Sequence, residues 1–315
     1  MKILYLSDKY AWDMYGVKRS LYESLKETVP VEFVEYDRYH PDVLFEADAR
    51  YLPGGELYRL ARDGEHTHIF FASSCLAFEP GRMEELGRIK TLVGFGFSDP
   101  RFVENTRRHW RFFHAYFSLS RNIAEEASGL GIPGGVMLPS VHPGFHDSRR
   151  ADHMNCEYDV VFFGDFATHP DTPLRRAAVE KLRRMGLSVL TVGEGGEVGH
   201  VEGQRALSII TKGRIGLNVM GPSSTLPHRI FEYSAANLCV LTTNTREIAA
   251  CFDPAREIVA DDRADLAEIL FDRDLCREVA ERGRTRCLAD HTIHRRVVTI
   301  LSVLKGLSAE RPSTH

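Results

Sequence analysis

The chain has 315 residues, 43% apolar and 27% charged, enough apolar material for two cores without disulfide or metal staples. Lys plus Arg is 40 and Asp plus Glu is 44, a formal charge of −4, which excludes the strong basic field of a nucleic-acid binder and leaves room only for a local anion site. The apolar run after Lys2 ends at Leu6, too short for a signal peptide, and no stretch reaches the ~18 apolar residues of a membrane span. Six scattered cysteines form no CxxC pair, so the expected location is the cytoplasm, with idle reduced thiols.

Strand and helix patterns alternate along the whole length, the mark of α/β architecture with parallel sheets. Lys2 to Ser7 reads as a buried strand, Asp8 to Gly16 as a loop and Val17 to Thr28 as a helix. Further strands are expected at 31–36, 68–73, 91–96, 115–120 and 134–140, with a helix from Arg121 to Gly129. Residues 141–157 are polar without a period and read as the linker. A second series follows: strand 158–164, amphipathic helix Leu174 to Met185, strands 187–193 and 213–220, helix Pro227 to Ala236, and strand 238–243. Helices at Arg273 to Asp290 and Thr292 to Leu307 close it. The expectation is an N-terminal domain over 1–145, a C-terminal domain over 158–290, a closing helix over 291–307 and a disordered tail over 308–315. Ligands of such sheets sit at the carboxyl ends of strands.

The most informative segment is GPSSTLPHRIFEYSAANLCVLTT, residues 221–243: a small polar loop, a helix and a buried strand. Exposed N–H groups at the helix start make an anion site, and Arg229 in the first turn adds donors suited to phosphate. His228 falls beside the same site. Glu232, one turn deeper, is placed to accept two hydrogen bonds from a vicinal diol such as ribose. The same spacing also fits an Arg–Glu surface pair. Gly164 and Asp165 follow a strand, where backbone N–H groups can approach a diphosphate, or where the chain simply turns. In the N-terminal half, Gly16 allows close approach to phosphate or sugar. Tyr10, Trp12 and Tyr15 offer stacking faces to an acceptor, or pack on the domain. Asp99, at a strand end, is a candidate acceptor-binding group and base, or half of an Asp–Pro turn. Fourteen histidines show no metal-ligand spacing, so no metal is expected. His114 is a further candidate ligand residue. There is no P-loop, no nucleophile elbow and no dinucleotide fingerprint.

The run PHRIFEYSAANLCVLT, continued by TREIAACFDPAREIVADD and on to the closing HTIHRR, resembles the C-terminal half of GT-B glycosyltransferases. It is most similar to the group that includes the spore-maturation CgeB-like proteins, near the large retaining family called glycosyltransferase group 1. MKILYLSD, FGFSDP and LPSVHPGFH resemble their counterparts more loosely. The resemblance implies two Rossmann-like domains, the C-terminal one binding a nucleotide-sugar donor and the N-terminal one an acceptor. It implies that Glu232 holds the donor ribose, that Arg229 lies near the diphosphate and Glu247 near the donor, and that Val192 and Gly193 flank the base. It implies that His291 and His294 are structural. One position departs: the retaining family carries a second Glu eight residues before Glu232, and here that residue is Ser224. The expected function is metal-independent, hexosyltransferase-like transfer to a hydroxyl or amine, with retention of configuration. A nucleotide-sugar epimerase and a non-catalytic nucleotide or glycan binder stay open as alternatives.

Overall fold

A computed structural model of the chain describes residues 1–7, 17–35, 55–72, 78–96, 107, 110–146, 149–201, 203–221, 226–243 and 246–310. The chain forms two compact units, one from residues 1–138 with 293 onward, the other from Pro139–Thr292.

The first unit holds six parallel strands, β1 (Ile3–Ser7), β2 (Val31–Glu35), β3 (His68–Phe71), β4 (Thr91–Gly96), β5 (Ala115–Ser118) and β6 (Gly134–Val136), in the order β2-β1-β3-β4-β5-β6. Successive residues of a strand face opposite sides, so an unbroken apolar run such as Ile3 to Leu6 implies helices over both faces. Ile3 and Tyr5 pack with Phe70 and Phe95 in one core cluster, and Leu4 and Leu6 with Ile69 and Phe71 in another. The first cluster also takes Leu21 and Leu25 from the helix Val17–Lys26, and Val297, Ile300 and Leu304 from the last helix, Ile293–Glu310. That helix runs three residues into the stretch expected to be disordered, because its apolar stripe is already anchored on the core. The helices Glu56–Asp63 and Pro80–Ile89 cover the other face and were not evident from the sequence pattern.

The second unit repeats the plan with five parallel strands: β7 (Tyr158–Phe163), β8 (Val189–Val192), β9 (Gly213–Asn218), β10 (Cys239–Thr242) and β11 (Val259–Ala260), ordered β11-β10-β9-β7-β8. In both units the first strand lies between the second and the third. The chain therefore leaves in opposite directions from that strand, and a crevice opens between the carboxyl ends of the first and third, here β7 and β9. Val160, Phe162, Ile215, Leu217 and Leu241 form the core with Val179 and Leu182 of the helix Thr172–Arg184.

The expected linker is instead part of this unit. Val141 bridges to Thr292, the Ala151 N–H donates to the Ala236 carbonyl (2.9 Å), and buried His153 meets the Asn237 carbonyl through Nε2 (2.7 Å). These contacts fix the segment to the unit, so its low hydropathy does not make it a spacer. Among the described residues no helix is long and apolar enough to cross a membrane.

Candidate functional site

The crevice of the second unit is built by one helix, His228–Ala235, laid across the ends of β7 and β9. Two residues four apart on one face dock it. The Tyr233 hydroxyl accepts from the Phe163 N–H (2.9 Å), and its ring covers Gly216, where any Cβ would collide with it. Arg229 donates from Nε to Asn218 Oδ1 (2.9 Å), from Nη1 to the Phe163 carbonyl (3.2 Å) and from Nη2 to the Val219 carbonyl (3.0 Å). Asn218 is held in turn by donating to Thr242 Oγ1 (3.0 Å) at the end of β10. Arg229 thus ties the two strand ends together and keeps two of its five N–H donors for another partner. Burial pushes its pKa down to about 10, which still leaves it charged at neutral pH.

A second guanidinium comes from the next element. Arg175, in the first turn of Thr172–Arg184, is only 4% exposed. Its Nη1 donates to the Asp165 carbonyl (2.6 Å), and its Nε has no partner among the described residues. The two guanidinium carbons lie 5.4 Å (Arg229) and 5.9 Å (Arg175) from the Phe162 ring centre. Among the described residues no carboxylate comes within 4.0 Å of either arginine. Two cations are thus withdrawn from water without a paired anion, an arrangement that favours binding one.

The loop after β7 needs two corrections. Gly164 does not free its N–H for a ligand: the group donates to the Val192 carbonyl (2.9 Å). The glycine is required because a Cβ would meet the Phe162 ring at 2.7 Å and Arg175 Nη1 at 3.3 Å. The Asp165 carboxylate is likewise engaged, accepting from the Thr168 hydroxyl (2.6 Å) and from the N–H groups of Ala167 (2.6 Å) and Thr168 (3.0 Å). The Thr168 hydroxyl bond contributes most to holding its pKa near 2. It braces the loop. Val192 is buried in β8, so its side chain is core. Gly193, at φ 127°, lies against the Gly164 carbonyl where no Cβ fits.

Glu232 lies one turn below Arg229 and is half-buried. Among the described residues nothing donates to its carboxylate. Burial pushes its pKa up to about 7 against the pull of Arg229. His228 Nε2 is buried without a partner among the described residues, and burial together with His146 lowers its pKa to about 4. Glu247 is exposed just beyond β10 and opens the turn Ile248–Ala250 without capping it. His114 accepts from the Leu92 N–H (3.0 Å) at the amino end of β4, the wrong end for a ligand. His291 is buried between Phe231 and Phe252, and His294 pairs with Glu27 (2.8 Å). Gly16, Tyr10, Trp12, Tyr15, Asp99 and Ser224 lie outside the described residues. The sequence reading missed Arg175, Asn218 and Tyr233. A signal existed for the first: Arg175 shares the stripe of Val179 and Leu182, so an arginine stands on an apolar face.

Residues 175–302 match the family described as glycosyl transferase-like. No curated protein matches the chain in sequence. In fold the chain is similar to an alpha-glucosyltransferase solved in complex with UDP, with TM-score 0.66 and 11% identity over 98% of this chain and 100% of that one. A structure of alpha-glucosyltransferase with UDP and a 13-mer DNA containing a central A:G mismatch gives TM-score 0.64 and 12% identity, over 97% of this chain and 99% of that one. AviGT4, a glycosyltransferase involved in Avilamycin A biosynthesis, gives TM-score 0.60 and 15% identity over 99% of each chain. The fold is GT-B. Family match and fold together support an enzyme, a glycosyltransferase, as the resemblance of the 227–296 stretch implied.

Proposed function

We propose that the chain transfers a glycosyl group from a nucleotide sugar to a hydroxyl or amine acceptor, with the donor diphosphate seated at the β7–β9 crevice. The observation that carries this reading is the pair Arg175 and Arg229, cations without a carboxylate partner among the described residues, at a topological switch point. As the bond from the anomeric carbon to the diphosphate breaks and the bond to the acceptor forms, negative charge grows on the leaving group. Fixed guanidinium donors and the start of the 228–235 helix stabilise that charge without reorganising. They take the place of a divalent cation, so the step runs without metal. Glu232, a carboxylate without a hydrogen-bond partner among the described residues, accepts the two ribose hydroxyls, and Glu247 lies toward the donor sugar. The alpha-glucosyltransferase structures of similar fold hold UDP, which makes uridine the first base to try. The reaction is read as retaining, with the acceptor proton passing to the leaving diphosphate; in an inverting reaction Asp99 is the base. Tyr10, Trp12 and Tyr15 stack on a small-molecule or glycan acceptor. Five described cysteines, all free, accord with a cytoplasmic setting.

The test is a melting series with UDP, GDP, dTDP, CDP and ADP on the wild type and Glu232→Ala. A ligand at 100 times its dissociation constant adds ~2.7 kcal/mol to the folded state. The expected result is stabilisation by one nucleoside diphosphate that is lost in the variant. Absence of stabilisation by all five overturns the donor site.

A further inference from the structure

His169 sits in the loop after β7, between the brace at Asp165 and the helix that carries Arg175. Its Nδ1 accepts the backbone N–H of Asp171 (3.0 Å). A nitrogen that accepts carries no proton, so the proton of the neutral ring is on Nε2. Burial, and then the positive charges of Arg175 and Arg229, push the imidazole pKa down, which keeps the ring neutral. Nε2 has no partner among the described residues, and the side chain is 39% exposed. The loop is anchored from the far side of the crevice as well: Asp171 Oδ2 accepts the Gly221 N–H (3.1 Å) just beyond β9, and a Cβ at Gly221 would collide with Asp171. A donor of fixed tautomer is therefore held on a loop pinned at both ends, within the electrostatic reach of two guanidinium groups.

Resting on the donor-site reading above, we infer that His169 donates its Nε2–H to the anionic oxygens of the donor diphosphate. The imidazole adds a neutral donor to two charged guanidinium forks. Such a donor reports on where the phosphate oxygens are and not only on their charge. It acts on the substrate, whereas the Nδ1 bond to Asp171 only sets the ring.

Two variants separate these jobs. In His169→Asn the side-chain oxygen replaces Nδ1 as acceptor for Asp171 and the outer donor is lost. In His169→Gln the amide reaches the Nε2 position and keeps a donor there. Affinity for UDP and for uridine is measured by titration calorimetry on the wild type and both variants. A lost hydrogen bond to a charged group corresponds to about a tenfold weakening or more. The expected result is UDP affinity down about tenfold in His169→Asn, within about threefold of wild type in His169→Gln, and uridine affinity unchanged in both. Equal UDP affinity in all three proteins, or a loss confined to His169→Gln, overturns the inference while leaving the donor site standing. Failure of the wild type to bind UDP or any other nucleoside diphosphate overturns the underlying reading instead.

Discussion

The two ends of the second unit's sheet both bury arginine, and they treat it differently. At the amino end, Arg214 on β9 is 2% exposed and meets Asp159 on β7, with Nε and Nη2 at 3.2 and 2.9 Å from Oδ1. The other carboxylate oxygen accepts from the Ser188 N–H (2.9 Å) and hydroxyl (2.8 Å). That charge is answered on the spot. At the carboxyl end, Arg175 and Arg229 bond to carbonyls and an amide, and no described carboxylate pairs with them. Carbonyl oxygens orient a guanidinium without cancelling its charge. The same fold thus pairs the arginine at the amino end with a carboxylate and gives the two at the carboxyl end only carbonyl and amide partners among the described residues.

The largest effect that breaks this comparison is expected at the amino end. Arg214→Ala strands a partly buried Asp159 and costs about 3 kcal/mol or more in stability, measured by urea denaturation. UDP affinity of the folded fraction stays at the wild-type value. A loss of affinity there would show that the two ends are not separate. The next effect has the opposite shape. Arg175→Met removes one hydrogen bond but also a desolvated charge, so the ligand-free protein changes by less than about 1 kcal/mol. UDP affinity falls about tenfold or more, because the lost donor was charged. A melting temperature that drops as far as in Arg214→Ala would make Arg175 a structural residue.

The sequence carried the architecture well because both sheets are parallel and covered on two faces, which makes each inner strand a continuous apolar run. Runs such as ILYL, TLVGFG and YDVVFF cannot be mistaken for half-exposed strands. Helices were harder where the apolar stripe was short: Glu56–Asp63 buries only Leu57, Tyr58 and Ala61. At the site, Arg229 and Glu232 were legible because a helix start and a three-residue spacing are local facts. The sequence offers Gly164 and Asp165 as a loop open to a diphosphate, whereas the Gly164 N–H and the Asp165 carboxylate are engaged within the protein. The collision of a Cβ with Phe162, and the closure of Asp165 on Thr168, depend on rotamers that no spacing encodes. Asn218 and Tyr233 matter through contacts 11 and 70 residues away in the chain, which a local pattern does not contain.

A pH dependence sharpens the contrast between answered and unanswered charge. Among the described residues nothing donates to Glu232, and burial moves its pKa from 4.5 to about 7. Between those values the unfolded chain releases a proton that the folded chain keeps. Stability therefore falls as pH rises from about 4.5 to about 7 and is level above that. His228 and His146, both held near 4 by burial, act in the other direction. Unfolding takes up protons below 6.5, so their contribution falls as pH drops from 6.5 toward 4. The two trends oppose each other in the wild type and flatten its profile. Glu232→Gln removes the first alone. Its melting temperature relative to wild type is expected to rise steadily from pH 4.5 to 7 and then hold, while UDP affinity of the wild type rises over the same range as the carboxylate becomes free to accept the diol. A difference between the two proteins that does not vary with pH would mean that the carboxylate is as well solvated as an ordinary surface glutamate.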